Sequence, residues 1–271
     1  MNIHPTAIVS PEARIGEGAD IGPYAIVEAG ASIGPNATLA AHAIVRRGVT
    51  VGRNLRLDSF AVLGSLPQDL KFSFEKCPDA AVVLGDDLWI REYATVSIST
   101  VPGKPTRVGN DVFMMAASHV AHDCQVDDGV ILAHSALLGG HAHIGAGAII
   151  GGHASVHQFC RIGTRAMVAA ASMITLDIPP YALAADRNRL SGFNLIGLRR
   201  GGVPATTIGD LKDCFRAVYA GGNPAERARE ALASGLPQTD MGRTFVEFFL
   251  SGKRGFAKPN LARPGKPTGE S

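Results

Sequence analysis

The chain has 271 residues, of which 46% are apolar and 18% are charged. It is long and apolar enough to bury a substantial core, which excludes disorder as a description of the whole chain. The formal net charge of +2 argues against a nucleic-acid partner, because such proteins carry a strongly basic domain or stripe. No apolar run approaches the roughly 20 residues that span a bilayer, so we expect a cytoplasmic protein without a membrane span.

Aliphatic residues recur at every sixth position through most of the chain. One series runs from Ile3 to Leu63, and a second runs from Leu84 to Ile174 with a skipped position at Pro102. Neither the 3.6-residue period of a helix nor strict alternation explains this spacing, which is typical of hexapeptide repeats. Three hexads make one triangular coil of 18 residues, so we predict roughly nine stacked coils of short parallel strands, a parallel β-helix.

The repeat is interrupted twice. The two series differ in phase by three residues, which predicts an insertion between Leu63 and Leu84. The skipped position at Pro102 marks a second excursion, near residues 97–107. Loops that leave a rigid scaffold are natural sites of function, although both could be tolerated insertions without a role.

Helical signals follow the end of the repeat at residues 177–180. Asn223, Pro224 and Glu226 resemble an N-cap, a first-turn proline and a returning carboxylate, and Thr207 with Asp210 resembles a capping box. An apolar cluster at residues 245–250 completes a small helical unit.

These signals divide the chain into three parts. We predict a β-helix domain over residues 1–190, an α-helical domain over 191–258 and a disordered tail over 259–271. From Arg199 onward the chain has twelve Lys and Arg against seven Asp and Glu. This basic surplus suits an acidic protein partner.

Seven of the nine histidines lie between residues 119 and 157. Residues 18 apart stack in such a coil, so His122, Gly140 and Gln158 form one column, with Asp123 and His141 in the next. A neutral imidazole can remove a proton from a hydroxyl while a carboxylate orients it. The pattern makes Asp123 a candidate for such an orienting carboxylate.

Zinc is an alternative use of these histidines. Three imidazoles and an open coordination position generate hydroxide near neutral pH, and the spacing of His119 and His122 fits either use. The four cysteines lie far apart, without a metal-type pair or a disulfide framework. We expect no metal ion.

Several motifs in chain order resemble the UDP-N-acetylglucosamine O-acyltransferase family. They lie at residues 68–71, 119–124, 139–141, 154–160, 178–181 and 192–200. The resemblance implies a left-handed parallel β-helix with a small C-terminal α-helical domain, assembled as a homotrimer with active sites between neighbouring chains. It also implies transfer of an (R)-3-hydroxyacyl group from acyl carrier protein to the 3-hydroxyl of UDP-N-acetylglucosamine, the first step of lipid A biosynthesis. The carrier-protein thioester is the donor substrate, and no cofactor is implied.

The resemblance also implies roles for individual residues. His122 removes the proton from the sugar hydroxyl, Asp123 orients His122, and the backbone N–H of Gly140 stabilises the oxyanion. Ala170 lies at the position that measures acyl length, which predicts a chain of intermediate length. Contacts with the sugar nucleotide and the acyl donor are implied at Asp69, Lys71, His119, His141, His157 and Gln158, and contacts with the uridine diphosphate at Asn194 and Arg200.

Two departures from the family pattern leave the nucleotide contacts open. Ile196 stands where some members have a carboxylate, and Gly201 replaces a second arginine. A 3-amino acceptor, another transferase that uses an acyl-coenzyme A, and a scaffold without catalytic activity remain the alternatives at this point.

Overall fold

The computed structural model describes residues 1–259, so most of the predicted tail, from residue 260 onward, lies outside the described residues. The hexads form short strands, most of them only two residues long. The strands are β1 (Asn2–Ile3), β2 (Ile8–Val9), β3 (Arg14–Ile15), β4 (Asp20–Ile21), β5 (Ile26–Val27), β6 (Ser32–Ile33), β7 (Thr38–Leu39), β8 (Ile44–Val45), β9 (Val49–Val51), β10 (Arg56–Leu57), β11 (Val62–Ser65), β12 (Val82–Leu84), β13 (Trp89–Ile90), β14 (Thr95–Ser97), β15 (Thr106–Val108), β16 (Phe113–Met114), β17 (His119–Val120), β18 (Gln125–Val126), β19 (Ile131–Leu132), β20 (Leu137–Leu138), β21 (His143–Ile144), β22 (Ile149–Ile150), β23 (Ser155–Val156), β24 (Arg161–Ile162), β25 (Met167–Val168), β26 (Met173–Ile174), β27 (Ala182–Ala185), β28 (Arg189–Phe193) and β29 (Lys258–Pro259).

Successive strands are distributed among three parallel sheets, which form the faces of a triangular prism. Face A contains every third strand from β1 to β25, face B every third from β2 to β26, and face C every third from β3 to β24. The nine strands of face B match the predicted nine coils. We name the corners AB, BC and CA after the faces that the chain connects there.

The inward side chains of the coils form one continuous core. The hexad aliphatics, such as Val45 and Ile150, and the alanines two residues before them, such as Ala43 and Ala148, are fully buried. Small and branched side chains thus alternate along the interior of a narrow prism. The predicted hexapeptide repeat and parallel β-helix are confirmed.

Strand pairing shows how the two insertions are accommodated. Partners in adjacent coils are normally 18 residues apart, as for Ile3 and Ile21. Across the first insertion Leu57 pairs with Ile90, 33 residues later, and across the second Ile90 pairs with Met114, 24 residues later. The second insertion therefore adds one hexad and keeps the phase, whereas the first shifts the phase by half a hexad, as predicted.

Both insertions leave the prism at corner BC. Residues 66–81 connect β11 to β12, and residues 98–105 connect β14 to β15. One coil further, the turn of residues 121–124 connects β17 to β18 at the same corner. The two loops and the predicted base thus lie in three consecutive coils at one edge of the prism.

A helical unit closes the C-terminal end of the prism. It contains α1 (Leu195–Arg200), α2 (Ala205–Val218), α3 (Pro224–Ala233), α4 (Asp240–Glu247) and a 3₁₀ turn at Phe248–Leu250. Its aromatic core includes the buried Phe245 and Phe249, as the apolar cluster predicted. Among the described residues, no helix is both long enough and apolar enough to cross a membrane.

The predicted Asn223 N-cap and first-turn Pro224 of α3 are confirmed, the predicted return of the Glu226 carboxylate forms no hydrogen bond within residues 1–259, and the predicted cap of α2 is wrong. The Asn223 side chain accepts a hydrogen bond from Ala225 N at 2.9 Å. Helix α2 instead begins two residues before Thr207, with Pro204 at its N-cap. The fixed φ of proline already suits a helix start, so no side-chain cap is needed there.

The two predicted domains share a sheet. Strands β27 and β28 form an antiparallel hairpin on β25, and β29 pairs in parallel with β28. The predicted boundary at residue 190 therefore lies inside β28, and the division into two domains stays a prediction.

Arg161 links the prism to the helical unit. Its Nε donates to the Asp177 carboxylate at 2.7 Å, and its Nη2 donates to the carbonyl oxygens of Ser251 at 2.6 Å and Phe248 at 3.1 Å. Its guanidinium also lies over the Phe248 ring, 4.1 Å from the centroid. Because Asp177 is fully buried, this arginine neutralises a charge that water cannot reach.

Replacement of Arg161 by methionine is expected to lower the free energy of unfolding by about 3–5 kcal/mol, because it leaves a buried carboxylate unpaired. Urea unfolding of the full chain, followed by circular dichroism, measures this loss. Arg189→Met is the matched control, since its pair with Asp186 is exposed and 4.0 Å long, and we expect a change below about 1 kcal/mol. Equal losses in the two variants would contradict the role of Arg161.

Candidate active site

His122 and Asp123 form a hydrogen-bonded pair at corner BC. His122 Nδ1 and Asp123 Oδ2 are 2.7 Å apart, and the two side chains are 16% and 5% exposed. An ionised carboxylate can only accept, so in the neutral imidazole Nδ1 carries the proton and Nε2 keeps its lone pair. This is the tautomer that a general base requires.

The second insertion holds the Asp123 carboxylate in place. Thr100 donates its Oγ1–H to Oδ2 at 2.6 Å and its backbone N–H to Oδ1 at 2.9 Å, and Val101 N–H donates to Oδ1 at 3.2 Å. Burial alone raises the pKa of Asp123, but the hydrogen bonds from His122 and Thr100 outweigh it and hold this pKa at about 2. Asp123 therefore remains charged at any physiological pH.

Gly140 lies one coil above His122 and faces its ring. A Cβ atom at residue 140 would lie 2.6 Å from Cε1 and 2.8 Å from Nε2 of His122, closer than any side chain can approach. Its backbone N–H donates no hydrogen bond to a protein group within residues 1–259. A Cβ at this position would therefore displace the imidazole, and the glycine leaves an unused backbone donor one coil above it.

His141 lies above Asp123, as the coil arithmetic predicts. Its Nε2 is 3.5 Å from Asp123 Oδ2, and its ring stacks on Phe159 with the centroids 4.5 Å apart. Burial lowers the pKa of His141 and outweighs the opposing effect of the Asp123 charge. A neutral ring at this position leaves the carboxylate available to stabilise positive charge on His122.

His119 lies on strand β17, beside the pair. Its Nδ1 hydrogen-bonds with Thr95 Oγ1 at 2.7 Å, while its Nε2 is buried without a partner among the described residues. Burial, with a smaller contribution from nearby His122, lowers the pKa of His119. The unpaired Nε2 is a polar atom that a bound ligand could satisfy.

His119, His122 and Gly140 line a cleft of about 410 Å³ on face B, whereas Asp123 and His141 lie outside it. Of the predicted residues, it brings together His119, His122, Gly140, His157 and Gln158. Its other wall is apolar and includes the exposed side chains of Leu137 and Met173. The cleft thus combines a general base, a free amide donor and an apolar surface, which suits a substrate with a hydroxyl group and an aliphatic chain.

Other predicted residues lie outside this cleft. Asp69 and Lys71 are exposed in the first insertion, where the Asp69 carboxylate accepts from Lys71 N at 2.9 Å. Asn194 caps α1 and lies near corner CA, where its Nδ2 is 3.5 Å from Arg165 O, and Arg200 is exposed at the end of the same helix. Ala170 lies at corner AB. Within one chain, Ala170 and Asn194 thus lie at other corners of the prism than His122, whereas Asp69 directly follows Gln68, which lines the cleft.

Sequence reasoning missed two residues that shape the site. The sequence pattern does not indicate Thr100, because this residue lies in the insertion, outside the 18-residue register that predicts contacts elsewhere. Phe159 stacks on His141, and this contact was available from the sequence, because the two residues are 18 apart.

The comparisons with known proteins agree with one another. A family model described as UDP-N-acetylglucosamine O-acyltransferase, domain 2, matches residues 177–257. An acyl-[acyl-carrier-protein]–UDP-N-acetylglucosamine O-acyltransferase of Anaeromyxobacter dehalogenans is 43% identical over 263 residues, covering 95% of this chain and 100% of the relative. The chain belongs to the UDP-N-acetylglucosamine O-acyltransferase family.

Solved structures of the family give the same result. The Campylobacter jejuni UDP-N-acetylglucosamine acyltransferase superimposes with a TM-score of 0.88 at 32% identity, covering 95% of this chain and 99% of its own. The Moraxella catarrhalis enzyme superimposes with a TM-score of 0.87 at 36% identity, covering 95% and 100%. The family fold is a left-handed parallel β-helix, so the predicted fold class is confirmed, including its hand.

One group of side chains within residues 1–259 has the spacing of a metal site, which is the feature that the zinc alternative requires. Within residues 1–259, His122, Asp123 and His141 offer ligand atoms that all lie within 4.8 Å of one another. The shared carboxylate oxygen, however, already accepts hydrogen bonds from His122 and Thr100, and a metal ion would have to replace them. The arrangement favours an acid–base pair, and the absence of a metal stays a prediction.

Replacement of Gly140 by alanine is expected to displace the His122 ring and to lower kcat on the order of 100-fold, the usual effect of a misplacement of about 1 Å. Acyl-transfer kinetics measure this loss. Gly152→Ala is the matched control, because Gly152 occupies the same turn position at corner AB and a Cβ there meets nothing closer than 3.4 Å. An unchanged kcat in Gly140→Ala would show that the ring does not need this space.

The depressed pKa of Asp123 links its hydrogen bonds to stability. Its contribution is fully present above the usual pKa of 3.8 and is lost as the pH falls through about 2. We expect the stability advantage of the wild type over Asp123→Asn to shrink by about 2 kcal/mol when the pH falls from 5 to below 2. Urea unfolding at a series of pH values tests this, with Asp213→Asn, an exposed carboxylate on α2, as control; a pH-independent difference would contradict it.

Proposed function

We propose that the chain transfers a 3-hydroxyacyl group from acyl carrier protein to the 3-hydroxyl of UDP-N-acetylglucosamine, as the first step of lipid A synthesis in the cytoplasm. The relatives above carry the names of the donor and acceptor of this reaction. The observation that carries the proposal is the His122–Asp123 pair with the free Gly140 amide directly above it, in a cleft with an apolar wall.

The reaction follows from this geometry. His122 Nε2 accepts the proton of the sugar 3-hydroxyl, and the oxygen attacks the thioester carbonyl, so that no acyl-enzyme forms. The carbonyl oxygen becomes an oxyanion and accepts a hydrogen bond from Gly140 N–H. When the tetrahedral intermediate collapses, the C–S bond breaks and the imidazolium returns its proton to the carrier thiolate.

Asp123 acts through His122. Its carboxylate stays ionised, so it stabilises the imidazolium that forms when the sugar proton is removed. Thr100 fixes the orientation of this carboxylate from the neighbouring coil. Because burial keeps His119 and His141 neutral, no second positive charge opposes protonation of His122.

The proposal includes a homotrimer with shared sites. Its support is that Ala170, Asn194 and Arg200 match family positions for substrate contacts but do not line the His122 cleft of their own chain. A neighbouring chain that presents its face A to face B would bring corners AB and CA to either end of the cleft. Ala170 would then limit the acyl chain, for which we propose an intermediate length, while Asn194 and Arg200 would contact the nucleotide.

Purified protein incubated with 3-hydroxyacyl carrier proteins and UDP-N-acetylglucosamine is expected to form the 3-O-acyl product, identified by mass. His122→Ala is expected to lower kcat by about 10²–10⁴-fold, because it removes the base. His153→Ala, an exposed histidine at corner AB, is the control, and sedimentation at the trimer mass shows that both variants assemble. Product only with a 3-amino acceptor or an acyl-coenzyme A donor, or full activity of His122→Ala, would overturn the proposal.

A further inference from the structure

A second and larger cavity lies on the other side of corner BC. It has a volume of about 630 Å³, within the usual range for ligand sites, and opens on face C. Asp123, which is hydrogen-bonded to His122, and His141 form part of its wall. None of the substrate contacts implied by the family resemblance, apart from His141, lies in this cavity.

The lining of this cavity is basic. It includes the cationic side chains of Lys104, Arg107, Arg161 and Lys253. Arg161 is already neutralised by Asp177. The other three side chains form no ion pair with any carboxylate in residues 1–259, and Asp123 is the one acidic residue in the wall.

The three unpaired cations come from separate parts of the chain. Lys104 comes from the second insertion, Arg107 from strand β15, and Lys253 from the segment that follows the 3₁₀ turn. The Lys253 charge is near enough to contribute to the lowered pKa of His141. Three unpaired cations from three separate segments converge on one concave surface, which is the arrangement that binds an oxyanion.

We propose that this cavity binds the phosphodiester of the donor arm, an inference that rests on the proposed function. A carrier protein holds its thioester at the end of a long flexible arm, and a phosphodiester joins the other end of that arm to the protein. The acceptor diphosphate already has candidate contacts in Asn194 and Arg200, whereas no residue is assigned to the donor phosphate. A cavity beside the reacting atoms, rather than at them, suits a group at the far end of the arm.

The first experiment measures binding without turnover. A hydrolysis-resistant acyl thioether of phosphopantetheine and the same compound without phosphate are titrated calorimetrically into the full-length protein. The wild type is expected to bind the phosphorylated compound on the order of tenfold more tightly, the usual effect of charge-assisted hydrogen bonds. The double variant Lys104→Met with Arg107→Met is expected to bind both compounds equally.

Arg14→Met is the matched control, because Arg14 is an exposed cation on face C, several coils from the cavity. The variants replace exposed side chains, and circular dichroism confirms that they fold. The inference is overturned if the wild type does not distinguish the two compounds, or if the double variant keeps the wild-type preference.

A kinetic experiment separates the donor phosphate from the other anions. In the double variant, KM for the acyl carrier protein is expected to rise on the order of tenfold, while KM for UDP-N-acetylglucosamine stays unchanged. A rise in the acceptor KM alone would instead assign the cavity to the diphosphate and overturn the inference. A wild type that binds the phosphorylated arm but forms no acyl sugar would overturn the proposed function and leave the phosphate site intact.

Discussion

The hydrogen bonds between adjacent coils are the constraint on which the rest of the structure depends. Each strand is only about two residues long, so a single coil cannot hold itself together. Parallel pairing with the coils above and below fixes each residue over its partner 18 positions away. A residue therefore has the neighbours that the register assigns, and the backbone has little freedom to change them. The geometry of the candidate site is a product of this register.

Corner BC shows how a rigid scaffold acquires a polar site. In the lower coils of this corner the left-handed turn position is held by Gly30 and Gly48, whereas Asp123, His141 and Phe159 occupy it in the upper coils, at some conformational cost. The second insertion supplies the hydrogen bonds that a charged Asp123 needs at a buried position. The same turn therefore places a base toward face B and its carboxylate partner toward face C.

The sequence predicts the contacts that the 18-residue register determines. The columns of His122 with Gly140 and of Asp123 with His141 follow from counting, because contacts in a repeat depend on sequence separation alone. The contact between Thr100 and Asp123 does not follow from counting, because Thr100 lies in an insertion, outside the 18-residue register. The path of the insertion depends on which carboxylate its hydrogen-bond donors reach. The start of α2 was mispredicted because Pro204 competes with Thr207 for that role. The relation of Ala170 and Asn194 to the cleft depends on contacts between chains, which no period within one chain encodes.

Because the coils stack at a fixed spacing, distances along the prism axis change only in steps of one coil. The distance along the prism from the imidazole to the helical unit is a whole number of rungs, each about 4.8 Å high. Small adjustments of this length are not available, because a gain or loss of one residue within a coil would turn its side chains away from their neighbours. Divergence along the prism axis can therefore proceed only by whole coils, or by changing the size of a side chain at a fixed rung.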